Sequence, residues 1–282
     1  MMWNTLITAK ELSDHVHDPN WVIVDCRFDL MDPSSGEEEY RSLHIPGAVY
    51  AHMNTDLSGP VTSGSGRHPL PETYELIETL RRFGINSHSQ VIAYDSTSGS
   101  FAARLWFLLR YLGHNRVAVL DGGLPAWLTA GFETESGWQT NPTGNFTGQP
   151  QPEMVVSTAD METITRDPSW LIVDSRAPER FTGASEPIDA KAGHIPSAVN
   201  YFYGQNSKQD GTIYPAEELR KIFDRLLAGH TINKTVIYCG SGVTSAQNIL
   251  AMVYAGLPQP KLYNGSWSEW IHDPNHPIVL GD

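Results

Sequence analysis

The sequence predicts an α/β protein of two tandem domains, each a parallel sheet flanked by helices. Three observations predict it: the chain repeats itself at long period, its apolar runs are short and continuous, and those runs alternate with helical patterns. Trp21-Val22-Ile23-Val24-Asp25-Cys26-Arg27 returns 149 residues later as Trp170-Leu171-Ile172-Val173-Asp174-Ser175-Arg176. His44-Ile45-Pro46-Gly47-Ala48-Val49 returns after 150 residues as His194-Ile195-Pro196-Ser197-Ala198-Val199. Val91-Ile92-Ala93-Tyr94-Asp95 is answered by Thr235-Val236-Ile237-Tyr238-Cys239, which puts Asp95 in the place of the cysteine. Asp121-Gly122-Gly123-Leu124-Pro125-Ala126-Trp127 is answered, 143 residues on, by Asn264-Gly265-Ser266-Trp267-Ser268-Glu269-Trp270. Four markers in one order define a duplicated domain rather than a short-period solenoid.

Each element follows from its local pattern. The apolar runs at 21–24, 91–94 and 117–120 are too short for helices and do not alternate with polar residues. They read as strands buried on both faces. Helical patterns cover 71–83, 100–112, 216–228 and 245–254. Strands alternating with helices imply parallel pairing, with functional loops at the carboxyl ends of the strands. The reading therefore expects an N-terminal domain over 1–136, non-catalytic because it carries Asp95. A linker rich in Gly, Pro, Asn and Thr is expected over 137–153, and a catalytic C-terminal domain over 154–282.

Composition bounds the function. The chain has 282 residues, 40% hydrophobic and 18% charged, with eight Trp, as expected of a globular protein. A formal charge of −13 argues against nucleic acid or an anionic membrane surface as partner, and means that any anionic substrate needs a local positive pocket. Two cysteines form no disulfide framework, and a reducing cytoplasm is the expected compartment. The start has no basic n-region and no apolar stretch reaches the ~20 residues of a membrane span, so no signal peptide or span is expected.

The chemistry is concentrated at Cys239. A β-branched run, Thr235-Val236-Ile237-Tyr238, feeds the cysteine, then Gly240-Ser241-Gly242-Val243-Thr244 leads into a helix. Glycines let successive N–H groups converge on one point, and a helix N-terminus adds positive potential there. Both favour thiolate over thiol, so Cys239 is expected to be a nucleophile with a pKa below the ~8.5 of a free cysteine.

These residues resemble a known family. The doubled Val-Asp-x-Arg and His-Ile-Pro-x-Ala pattern, the Cys-Gly-Ser-Gly-Val-Thr loop and the closing Gly-Ser-Trp-Ser-Glu-Trp are similar to tandem-domain rhodanese-type sulfurtransferases over nearly the whole chain. The resemblance implies two rhodanese-like domains and ping-pong transfer of a sulfane sulfur through a Cys239 persulfide. The implied donor is a small anion; the acceptor is cyanide or a thiol, including a thioredoxin-like protein. No cofactor or metal is implied. Gly240, Ser241, Gly242, Val243 and Thr244 would stabilise the anionic sulfur.

The neutral loop resembles 3-mercaptopyruvate sulfurtransferases rather than thiosulfate enzymes, whose loops carry basic residues after the cysteine. By that resemblance Arg180 falls on a position that binds the donor's carboxylate, and an arginine's planar fork suits that task. Where the family has a second arginine this chain has Ile188, in Glu186-Pro187-Ile188-Asp189-Ala190-Lys191, which leaves Lys191 as the cation at hand. His68 falls near a histidine used with a serine and an aspartate for proton handling. The acid position reads Asn54, with Asp56 two residues on, so the relay is incomplete as written. Arg67 is a further source of local positive charge.

Other recurring residues read as structural, because they also occur in the half without the thiol: Asp25/Arg27, Asp174/Arg176, His44 and His194. Trp127, Trp267 and Trp270 read as core, and Cys26 as an inert thiol. A cysteine phosphatase needs an arginine six positions beyond its cysteine; Ser245 stands there, and none lies between Gly240 and Tyr254. A cysteine hydrolase would need His68 as partner, for which nothing further speaks. The remaining alternatives are a thiosulfate-preferring enzyme and, from another class, a non-enzymatic persulfide carrier or docking module.

Overall fold

Two five-stranded sheets, built with the same strand order, account for the repeat. The computed structural model describes residues 2–281. The first sheet is formed by β1 (Leu6–Ile7), β2 (Trp21–Asp25), β3 (Val49–Tyr50), β4 (Gln90–Tyr94) and β5 (Val117–Leu120), in the order β1-β5-β4-β2-β3. Around it run α1 (Ala9–Ser13), α2 (Ser35–Ser42), α3 (Thr73–Arg82), α4 (Ala102–Tyr111) and α5 (Gly123–Thr129). The second sheet has β6 (Val155–Val156), β7 (Leu171–Asp174), β8 (Ala198–Asn200), β9 (Thr235–Tyr238) and β10 (Lys261–Tyr263), in the order β6-β10-β9-β7-β8. Its helices are α6 (Thr158–Ile164), α7 (Pro178–Thr182), α8 (Ala216–Leu227), α9 (Ser245–Tyr254) and α10 (Ser266–Trp270). Every pairing in both sheets is parallel.

The central strands are buried on both faces, which is why their sequences are continuous apolar runs. In α8, Leu219, Phe223 and Leu227 recur at four-residue spacing and form its buried face. By contrast, α9 is buried from Ser245 to Met252 and carries no charged residue, so it is a core helix.

The recurring acid–arginine pairs tie strand ends to loops. Arg27 binds Asp25 at 2.6 Å and donates to the Leu43 carbonyl at 2.7 Å. Arg176 likewise binds Asp174 at 2.6 Å and donates to the Gly193 carbonyl at 2.7 Å. His44 and His194 anchor backbone through Nδ1, to the carbonyls of Tyr40 and Phe181. Trp127, Trp267 and Trp270 are buried core residues.

Two compact units result, and neither is a single stretch of chain. The first holds residues up to Gly59, Pro71–Gln151 and Ser207–Ile213; the second holds Pro60–Leu70, Pro152–Asn206 and Tyr214 onward. His68 and Arg67, taken from sequence as a contribution of the N-terminal half, thus fold with the second unit.

The segment expected as a linker has no helix or strand over 137–151, yet it is pinned along the first unit. Gly144 N donates to the Arg81 carbonyl at 2.8 Å, Phe146 N to Ile85 at 3.1 Å, and Gln151 N to Tyr111 at 2.8 Å. The Phe146 side chain is fully buried. Phe146→Ala should therefore destabilise the protein by about 3–5 kcal/mol in denaturant unfolding; an unchanged midpoint would mean the segment is a free tether.

Candidate active site

The loop after β9 is shaped by close approaches, and at Gly242 these admit only glycine. Gly242 has φ +80, and a Cβ there would strike the Asn264 carbonyl. A Cβ on Gly240 would lie 2.9 Å from Arg67 Nη2. Helix α10 holds the loop from behind: Trp267 N donates to the Cys239 carbonyl at 3.0 Å and Ser268 N to that of Gly240 at 2.9 Å. Ser266 Oγ accepts from Cys239 N at 3.2 Å. The Val243 and Thr244 carbonyls accept the first amides of α9, from Ala246 and Gln247, both at 3.1 Å.

The Cys239 sulfur lies inside this turn, 2% exposed. Gly242 N donates to it at 3.2 Å. Burial alone pushes the thiol up; the Ser245 and Thr244 hydroxyls and the Ser241 and Ser245 amides more than offset that, and its pKa falls below the ordinary value. Ser245 Oγ is buried with no conventional hydrogen-bond partner, and its electrostatic effect falls on the sulfur. Cys26 is the contrast. Burial, then the charges of Asp25, Asp95 and Asp56, push its thiol well above the usual range.

The first unit contains the same turn, filled by a different anion. Asp95 Oδ1 accepts from Thr97 N at 2.7 Å and Gly99 N at 2.9 Å; Oδ2 accepts from Phe101 N at 2.8 Å and Ala102 N at 2.9 Å. A carboxylate held by four amides shows that this strand–helix junction is an anion cradle in both copies.

Above the second cradle the loop 60–70 is pinned to α10 and to the loop preceding it. Gly66 N donates to Glu269 Oε2 at 3.2 Å, Arg67 N to Ser268 Oγ at 3.1 Å, and Asn264 Nδ2 to the His68 carbonyl at 3.2 Å. His68, 5% exposed, lies with Nδ1 2.7 Å from Ser241 Oγ. Within the first unit, Asp56 accepts from His52 N at 2.8 Å and binds Arg82.

Arg67 and Arg180 both lie over Gly240; Arg180 Nη2 would be 3.4 Å from a Cβ there. Neither is an unoccupied cation. Arg180 donates to Glu186 at 2.9 Å and to Asp189 Oδ2 at 2.7 Å, and Arg67 Nη1 binds Asp189 Oδ1. Burial lowers the Arg67 pKa; the nearby Cys239 sulfur opposes that shift and the neighbouring Arg180 adds to it.

Among the described residues Lys191 forms no ion pair, and its carbonyl accepts from Trp267 Nε1 at 2.9 Å. Ile188 is exposed. Sequence reasoning missed Ser245, which it tested only as an absent arginine. It also missed Asp189, which stood inside the stretch it quoted. No cluster of three His, Cys, Asp or Glu side chains among the described residues is arranged to hold a metal ion, and no helix is long and apolar enough to cross a membrane.

A duplicated parallel-sheet domain with a cysteine cradle at one strand end defines a protein class, and comparison places the chain within it. The rhodanese-like domain model matches residues 8–130 and 157–273, and the chain belongs to the rhodanese-like family. It is 44% identical over 279 residues to the "Probable 3-mercaptopyruvate sulfurtransferase" of Pseudomonas aeruginosa, covering 98% of each chain. It is 38% identical over 288 residues to the "Putative thiosulfate sulfurtransferase SseB" of Mycobacterium tuberculosis, covering 98% of this chain and 97% of that one. The crystal structure of SseA from Escherichia coli, a 3-mercaptopyruvate sulfotransferase, superposes with a TM-score of 0.77 at 31% identity. That match covers 95% of this chain and all of the other.

The cradle predicts a measurable difference between the two thiols. Alkylation of the native protein followed against pH should modify Cys239 with a midpoint below that of a free thiol and spare Cys26. Ser245→Ala removes a hydroxyl that favours the thiolate and should raise the midpoint; an unchanged midpoint would remove Ser245 from the cradle.

Proposed function

We propose that this chain is a sulfurtransferase that carries sulfane sulfur on Cys239, with 3-mercaptopyruvate as the preferred donor. The observation that carries the reading is a nearly buried sulfur that receives amide and hydroxyl donors, beneath two arginines that flank Gly240. Family membership supports it, as do relatives named for this activity.

The cradle keeps Cys239 as thiolate, which attacks the donor's sulfur. An S–S bond forms, the donor's C–S bond breaks with its electron pair moving to carbon, and the enolate of pyruvate leaves. The new persulfide sits in the same turn and ionises there. Its proton returns to the enolate carbon, and the Ser241–His68 pair is placed to carry it. The acceptor, cyanide or a thiol, then attacks the outer sulfur, the S–S bond breaks, and the thiolate is restored. The cradle thus opposes an anion before, during and after transfer, while Arg180 and Arg67 receive the donor's carboxylate.

Thiosulfate follows the same route with sulfite as leaving group. Two observations favour it as second donor: Ile188 stands where a second arginine is expected, and the Mycobacterium tuberculosis relative is named for thiosulfate. The expected acceptors are small or protein thiols and cyanide, in a reducing cytoplasm. The expected domain roles keep catalysis in the second unit, since Asp95 fills the first cradle.

Thiocyanate formation from each donor, with cyanide as acceptor, tests the reading. The kcat/KM for 3-mercaptopyruvate should exceed that for thiosulfate, and Cys239→Ser should abolish both. Turnover retained by that variant would overturn the assignment. Arg180→Ala should raise the donor KM about tenfold or more with a smaller change in kcat, and an unchanged KM would remove Arg180 from the donor site.

A further inference from the structure

The two arginines over the cysteine already hold a carboxylate, and it belongs to the protein. Asp189 has a side chain 3% exposed and spans the pair, with Oδ1 on Arg67 Nη1 and Oδ2 on Arg180 Nη2. One carboxylate shared between two guanidinium groups is the arrangement a substrate carboxylate would adopt there. Asp189 is presented deliberately: its own N–H and that of Ile188 both donate to Glu186 Oε1, at 3.0 and 3.1 Å. Glu186 is fixed in turn by Arg176 at 3.3 Å and Arg180. The segment that carries Asp189 has no helix or strand over 183–193, and its neighbours Ile188 and Ala190 are exposed.

Charge counting shows the consequence. Arg67, Arg176 and Arg180 bring three positive charges, and Asp174, Glu186 and Asp189 bring three negative ones. The ion-paired group is neutral by itself and one unit negative with the Cys239 thiolate, in a protein of formal charge −13. Yet donors remain: Arg67 Nε is buried with no hydrogen-bond partner, and Arg67 Nη2 points over Gly240 beside the cysteine. Asp189 therefore occupies the pair without exhausting it.

We infer that Asp189 is a built-in counter-anion that an anionic donor must displace from Arg67 and Arg180, and that it sets the selection between donors. The inference rests on the sulfurtransferase reading for its substrate class. Entry of a dianion into a site with no net positive charge is penalised more than entry of a monoanion, so Asp189 disfavours thiosulfate more than a keto-acid carboxylate. Removing its charge leaves the ion-paired group one unit positive, balancing the thiolate, and relieves the dianion most.

The test has one arm without turnover. Pyruvate and sulfate binding are measured by calorimetry on the full chain, wild type against Asp189→Asn, with Asp189→Ser as a second charge removal and Asp189→Glu as the charge-retaining control. Both anions should bind more tightly to the Asn and Ser proteins, sulfate by about tenfold and pyruvate by about threefold, while Glu stays near wild type. In turnover, the thiosulfate KM should fall more than that for 3-mercaptopyruvate, and the ratio of kcat/KM values should move toward thiosulfate. Equal or weaker anion binding in folded Asn and Ser proteins would overturn the inference and make Asp189 a clamp that positions the arginines. If the wild type transfers sulfur from no donor, the sulfurtransferase reading fails, while tighter anion binding in the Asn protein would still support the counter-anion.

Discussion

The rest of the structure depends on one constraint: where a parallel strand turns into a helix, amide N–H groups point at a common centre, and that centre needs negative charge. The chain meets this need twice. In the first unit the Asp95 carboxylate takes four amides and closes the site with its own charge. In the second the same turn holds a sulfur whose thiolate is favoured, the group that on the proposed reading takes up and passes on a sulfur atom. Duplication thus supplies an internal comparison, in which a filled cradle beside a reactive one shows what the backbone is built to hold. Cys26 supplies the other comparison, a thiol equally buried but among carboxylates, and shifted the opposite way.

Holding such a turn in place requires rigid support, since its glycines provide none. Helix α9 is buried almost all round, and its polar residues are knitted inward rather than to solvent. Asn206 donates to Gln247 at 2.8 Å, and Asn248 donates to Ser175 Oγ at 2.8 Å and to the Tyr201 carbonyl at 3.0 Å. These bonds join the start of α9 to the ends of β7 and β8, the neighbouring strands. Helix α10 takes the carbonyls of Cys239 and Gly240. A buried hydrogen-bond network of this kind fixes geometry more than it adds stability. The arginines above the cradle are fixed in the same manner, through Glu186 and Asp189.

Much of this was legible in the sequence, and the failures share a cause. Strands and helices follow local patterns, so 245–254 and 117–120 were found with the bounds they have. The cysteine turn was legible because its glycines and its position between strand and helix are both local signals. Nothing local shows that Asp189 spans Arg67 and Arg180, residues 122 and 9 positions away. Nor does composition distinguish a Gly/Pro-rich segment that floats from one pinned by Phe146, or assign residues 60–70 to the second unit.

The most direct test of the account is the mass of the protein after exposure to a donor without acceptor, with peptides mapped under non-reducing conditions. The account predicts the gain of one sulfur atom on the Cys239 peptide, none on that of Cys26, and its loss on adding cyanide. Added sulfur on Cys26, or none on Cys239 while sulfur is still transferred, would contradict it.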